Sequence, residues 1–184
     1  RRVLFRSDVQ NLLRPTLERN IQAVSKNKFD LGLTDLYTHK ITLTDSTPVY
    51  HKQFPIPVDH APVIQEHVEK WLQMGVVEPA QSPYNSPIFC VKKKDGGYRL
   101  CLDYRAVNEK SLPENYSIRT PEDCIAEIGQ AGAKHFIALD LSSGFYQMPL
   151  DEESRAYTAF TVPKHGQLQW TRAADRKSTR LNSS

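Results

Sequence analysis

The chain has 184 residues, 39 % hydrophobic and 24 % charged, with a formal charge of +3. That balance excludes a disordered composition, and the charge alone is too small to argue for nucleic acid. Cys90, Cys101 and Cys124 are odd in number and lack C-x-x-C spacing, which excludes a disulfide framework or a zinc site in favour of reduced thiols packed as small apolar groups. No apolar run reaches the length of a membrane span, so no membrane partner is expected and the location expected is intracellular.

Both ends differ from the middle. Residues 1–7, "RRVLFRS", read as a non-native leader, and 173–184, "AADRKSTRLNSS", as a disordered, non-native tail, with one large apolar residue in twelve. Residues 8–60 read as an N-terminal helix and an extended linker. Val9, Leu12, Leu13, Leu17 and Ile21 have near-helical spacing over 8–25, weakened by Pro15. "HKITL" and "PVYHKQF" are β-like, with Pro48, Pro55 and Pro57 as breakers.

A clear helix follows. Asp59 or His60 is the expected cap, Pro62 lies in the first turn, and Ile64, Val68, Trp71 and Leu72 share a face. Gly75 is the expected stop. "PIFCVKK", "KDGG" and "YRLCLDY" spell a hairpin. Thr120 caps a helix that begins at Pro121 and turns Ile125 and Ile128 inward. "YTAFTV", "PKHG" and "QLQW" form a second hairpin. Helices interspersed with hairpins make the fold class α+β.

Two stretches invite chemistry. Residues 92–110 hold six cations and three acids, a local excess equal to that of the whole chain. Tyr98 and Tyr104 interleave with them, as on many nucleic-acid surfaces, although a solvated strand edge has the same composition. The second stretch is "HFIALDLSSGFYQM", an apolar strand that delivers Asp140 at its end. An acid there is often a helix cap, but Ser142 and Ser143 could cap equally well. A hard cation such as Mg2+ would need the carboxylate, and the small residues that follow leave room for a triphosphate on backbone N–H groups.

Taken in order, "SPYNSPIFCVKKKDGGYRLCLDYRAVNEK", "ALDLSSGFYQMPLDEESRAYTAFTVP" and "GQLQWTR" resemble the reverse transcriptase of gypsy-type long-terminal-repeat retrotransposons. The resemblance covers roughly residues 30–172. It implies a right-hand polymerase, with residues 61–172 as fingers and part of the palm. It implies an RNA-directed DNA polymerase that adds dNTPs to a primer 3′-hydroxyl by two-metal phosphoryl transfer with Mg2+. Asp140 matches the first catalytic aspartate, and the carbonyl of Leu141 a further metal ligand. Lys93, Arg99, Ser143, Gly144 and Phe145 match the dNTP site, Phe145 as the gate that excludes a 2′-hydroxyl. Tyr84, Asn85 and Arg105 match contacts to the template strand.

The implied partners are an RNA/DNA template-primer, a dNTP and the remainder of the Pol polyprotein, and the implied location is a cytoplasmic retroelement particle. The family's second acidic motif, tyrosine-x-Asp-Asp, is absent. The expectation is therefore an N-terminal fragment, inactive alone. A non-enzymatic nucleic-acid-binding module and a degenerate element remnant are the alternatives.

A triphosphate grip also sets a register for the first hairpin. A two-residue loop at Asp95-Gly96 would put Lys93 and Arg99 on opposite faces. A three-residue loop, Asp95-Gly96-Gly97, puts Gly97 in the left-handed position and Lys93 directly opposite Arg99, with Cβ atoms about 5 Å apart. The second register is the expected one.

Overall fold

The computed structural model describes residues 7–21, 25–27, 30–94, 96–113, 117–132, 141 and 143–174. The expected strand before Asp140, Asp140 itself and the tail from 175 lie outside the described residues. The first helix, α1, spans Ser7–Arg19 and includes Pro15, shorter than the expected 8–25. An extended segment, residues 30–54, then runs through isolated bridges that pair His39 with Leu150, Leu43 with Ser111 and Tyr50 with Asn85. The β-like pieces are therefore a strap laid over distant parts of the chain.

Helix α2, Ala61–Gln73, supplies one wall of the core with Ile64, Val68 and Trp71, all buried. Neither expected cap works through a side chain: His60 is the N-cap residue and makes no capping hydrogen bond. Instead Pro57 O accepts from the His60 and Ala61 N–H groups. The end is a Schellman motif. Gly75 N–H donates to Leu72 O at 3.0 Å and Val76 N–H to Trp71 O at 3.1 Å. Gly75 has φ +64°, and nothing lies within 4 Å of the position a Cβ would take. Gly75→Ala should therefore cost about 1 kcal/mol of backbone strain with no steric term, read as a lower urea midpoint at constant slope.

Three strands pair antiparallel in the order β1 (Val77–Pro79), β5 (Gly166–Trp170), β4 (Phe160–Val162). β5 is central, and Leu168 and Trp170 alternate inward while Gln167 and Gln169 stay half-exposed. Trp71 of α2 meets Trp170 at 4.8 Å and Phe160 at 6.3 Å between ring centroids. The hairpin β2 (Ile88–Lys92) and β3 (Tyr98–Leu102) is a separate two-stranded sheet. Helix α3, Arg105–Lys110, follows it and was not legible in the sequence.

Helix α4, Pro121–Gln130, starts as expected: Thr120 Oγ1 accepts from the Asp123 N–H at 3.1 Å. Its inward face is a correction. Ile125 is 69 % exposed and Ile128 46 % exposed, and no residue of the helix is buried. Helical spacing decides which residues share a face, but burial needs another element against it, and no described residue supplies one. A 3-10 turn, Gly144–Gln147, precedes the short α5, Glu152–Arg155. Near the end of the described residues Ala173 is buried, and its N–H donates to Met148 O. Among the described residues no helix is long and apolar enough to cross a membrane.

Candidate functional site

The hairpin closes differently from expectation. Val91 lies opposite Arg99 and Lys92 opposite Tyr98. The Lys93 N–H then donates to Gly97 O at 2.7 Å, so the loop is Lys94 to Gly96. Gly96 takes the left-handed conformation, φ +86°, in place of Gly97. The loop still has three residues, and Gly96 N–H bonds back to Lys93 O at 3.2 Å. Lys93 is therefore diagonal to Arg99 and not directly opposite, with an ideal separation of roughly 7–8 Å.

The faces nonetheless sort the cations. Ile88, Leu100 and Leu102 are fully buried on the inner face. Tyr98, on the same side, meets the His60 ring edge-on at 4.9 Å and fixes the hairpin to the start of α2. Val91, Lys93 and Arg99 share the outer face, and all three are exposed. Lys92 belongs to the inner side and emerges only where the core ends. Lys93 and Arg99 flank the exposed Val91, and no described carboxylate pairs with either. Neither Cys90 nor Cys101 is in a disulfide, and burial pushes the Cys90 thiol up, which keeps it protonated and unreactive.

The second group of residues is at the 3-10 turn. Ser143 adopts a left-handed φ of 52°. Gly144 passes so close to Leu141 that a Cβ would stand 3.2 Å from the Leu141 Cβ, so a larger residue there would push Leu141 by a few tenths of an ångström. Among the described residues neither the Ser143 nor the Gly144 N–H meets a protein acceptor. Phe145 is 44 % exposed and lines a cleft of about 350 Å³ with Tyr104, Val107, Met148, Leu150 and the strap residues His39 to Thr42. Leu141 is exposed.

The template-matched residues are placed differently. Tyr84 and Asn85 are buried. Asn85 Nδ2 donates to His51 O at 2.6 Å and its Oδ1 accepts from Thr161 Oγ1 at 2.7 Å. Arg105 is half-exposed, and its guanidinium forks onto Asp103 through Nε at 2.8 Å and Nη2 at 2.6 Å. Sequence reasoning assigned no role to Arg172, whose Nη1 donates to Gly32 O at 2.9 Å and to Tyr146 O at 3.0 Å. Its only signal was its place at the end of a matched motif.

A metal fits the described residues poorly. No group of three His, Cys, Asp or Glu side chains among them could hold one. Asp140 and the Leu141 carbonyl are oxygen donors of the kind Mg2+ takes, but one carboxylate is too few for two ions.

Residues 91–181 match the family described as reverse transcriptase (RNA-dependent DNA polymerase). The Retrovirus-related Pol polyprotein from transposon 412 of Drosophila melanogaster is 34% identical over 175 residues, 92% of this chain and 14% of its own length. That from transposon 297 of the same organism is 33% identical over 159 residues, 84% of this chain and again 14% of the relative. Among solved structures, the Prototype Foamy Virus protease-reverse transcriptase superposes with a TM-score of 0.72 at 28% identity, covering 94% of this chain and 23% of that one. A foamy viral protease-reverse transcriptase in complex with RNA/DNA hybrid gives 0.71 at 26%, over 93% of this chain and 23% of that one. The chain thus spans about a seventh of the curated relatives' length. Its motifs, its mixed fold with antiparallel strands and these likenesses agree, and the chain belongs to the reverse transcriptase family of retroelement Pol polyproteins.

Proposed function

We propose that the chain is the fingers and part of the palm of an RNA-directed DNA polymerase, and that it binds the incoming dNTP. The observation that carries this reading is the hairpin register, which presents Lys93 and Arg99 together on one exposed face. Arg99 grips phosphate oxygens as a fork and Lys93 as a point charge. The N–H groups of Ser143 and Gly144 receive further phosphate oxygens, and the Phe145 ring lies under the sugar. Mg2+ on Asp140 and the Leu141 carbonyl would screen the triphosphate charge.

The template-primer is an RNA/DNA hybrid, the ligand in the foamy viral structure. Tyr84 and Asn85 act on the template by holding the backbone of their segment in shape, because their side chains are enclosed. The remainder of the Pol polyprotein supplies the missing acids. Chemistry requires those acids, so this chain alone binds and does not polymerise.

Primer extension on poly(rA) with oligo(dT) and Mg2+ tests the last point. The expected result is no incorporation above that of Asp140→Ala. Incorporation that Asp140→Ala abolishes would show that one carboxylate suffices and would overturn the reading.

A further inference from the structure

We propose that residues 32–41, clamped by Arg172, form a strap that positions Phe145 and thereby sets the sugar selectivity of the site; the selectivity half rests on the gate reading above. The turn that carries Phe145 is a four-residue 3-10 helix. Such helices have poor hydrogen-bond geometry and little stability of their own. Among the bonds that close it are Tyr146 N–H to Ser143 O and Met148 N–H to Phe145 O.

The carbonyls that follow are held from outside. Tyr146 O accepts from Arg172 Nη1 at 3.0 Å. Gln147 O accepts from Thr34 N–H at 2.8 Å, and Pro149 O from His39 N–H at 2.8 Å. Arg172 is well placed to clamp, because its backbone is fixed to the same segment. Leu150 N–H donates to Thr171 O and Ala173 N–H to Met148 O, both at 2.9 Å. Its side chain then reaches the strap at Gly32 O. Further along, Ile41 N–H donates to Ser154 Oγ at 2.9 Å. His39 to Thr42 and Phe145 line one cleft, so a shift of the strap changes the space the ring occupies. The strap precedes residues 91–181, the part that matches the family. Arg172 is a positioning residue in this scheme and touches no reacting atom.

The test is amide exchange by NMR on the chain itself, with Arg172→Met, which keeps the stem, and Arg172→Lys, which restores a cationic donor. In Arg172→Met the Tyr146 and Met148 amides should exchange about tenfold faster while β5 amides hold, and in Arg172→Lys they should return to within about threefold of the parent. Unchanged exchange, failure of lysine to rescue, or equal acceleration in β5 would each overturn the strap. A second arm compares dATP and ATP binding with Mg2+. The preference for dATP should fall toward unity in Arg172→Met and in Phe145→Ala alike. Faster exchange with the preference intact in Arg172→Met but lost in Phe145→Ala would leave the strap as a clamp and the gate standing, and overturn the selectivity half. No preference in the parent chain, or a preference unchanged in Phe145→Ala, would overturn the gate reading itself.

Discussion

Trp170→Ala should remove a large share of the chain's stability, with a loss of about 3–5 kcal/mol against a total of about 5–15 for a domain of ordinary size. Trp170 is fully buried on the central strand. It joins three elements: Trp71 on α2, Phe160 on β4, and Tyr146 in the 3-10 turn, which stacks on it at 5.7 Å and 17°. The removed ring leaves a void whose walls belong to different elements and cannot collapse together.

Polar contacts add to that. Trp170 Nε1 donates to Tyr104 Oη at 3.1 Å, and Tyr104 Oη donates to Thr158 O at 2.7 Å. Burial raises the Tyr104 phenol far above its ordinary range, so it stays protonated and can do both. Tyr104→Phe should therefore cost about 1–3 kcal/mol, because it strands a buried N–H and a buried carbonyl. Urea denaturation reads both changes. A Trp170→Ala loss below that of Tyr104→Phe would contradict the packing argument.

Lys93→Ala with Arg99→Ala should weaken Mg2+-nucleoside triphosphate binding by about a hundredfold, taking about 1.5 kcal/mol for each lost bond to a charged group. The comparison that makes this specific is Lys92→Ala. Lys92 is next to Lys93 but belongs to the other side of the hairpin, with Tyr98. If the outer face is the site, Lys92→Ala should change affinity by less than about threefold. Equal losses at all three positions by isothermal titration would mean that total charge, and not a face, attracts the ligand. Affinity for an RNA/DNA hybrid should fall with salt in parent and variant, less steeply in the variant.

The hairpin also shows where sequence reasoning reaches its limit. Leu100, Cys101 and Leu102 are all buried, so the observed pairing and not an alternation excludes the two-residue loop, and burial is a weak guide to register here. It cannot separate two registers that differ by a step of two, since both bury the same residues. Loop chemistry decides between them, and a single left-handed glycine is needed at the third loop position. With Gly96 and Gly97 adjacent, either could serve, and Gly96 takes the role.

Other misses have a common cause: partners far away in sequence. Ile125 and Ile128 announce a shared face without announcing a cover. "PYNSP" has the composition of a surface turn, yet Asn85 is buried because Val49, His51 and Thr161 meet its backbone and side chain. The strap bonds to residues more than a hundred positions away, as Ile41 does to Ser154, so no local period marks it. The α2 face and the Thr120 cap were legible because neighbouring residues alone determine them.

The most direct test of a triphosphate site shared by hairpin and 3-10 turn is an NMR titration of the chain with Mg2+-dATP, with inorganic triphosphate as reference. dATP should shift Lys93, Arg99, Gly144 and Phe145 at one common affinity, and inorganic triphosphate should leave the Phe145 ring unmoved. Shifts confined to residues 92–99, equal for both ligands, would contradict a shared nucleotide site and identify the hairpin as an independent basic module.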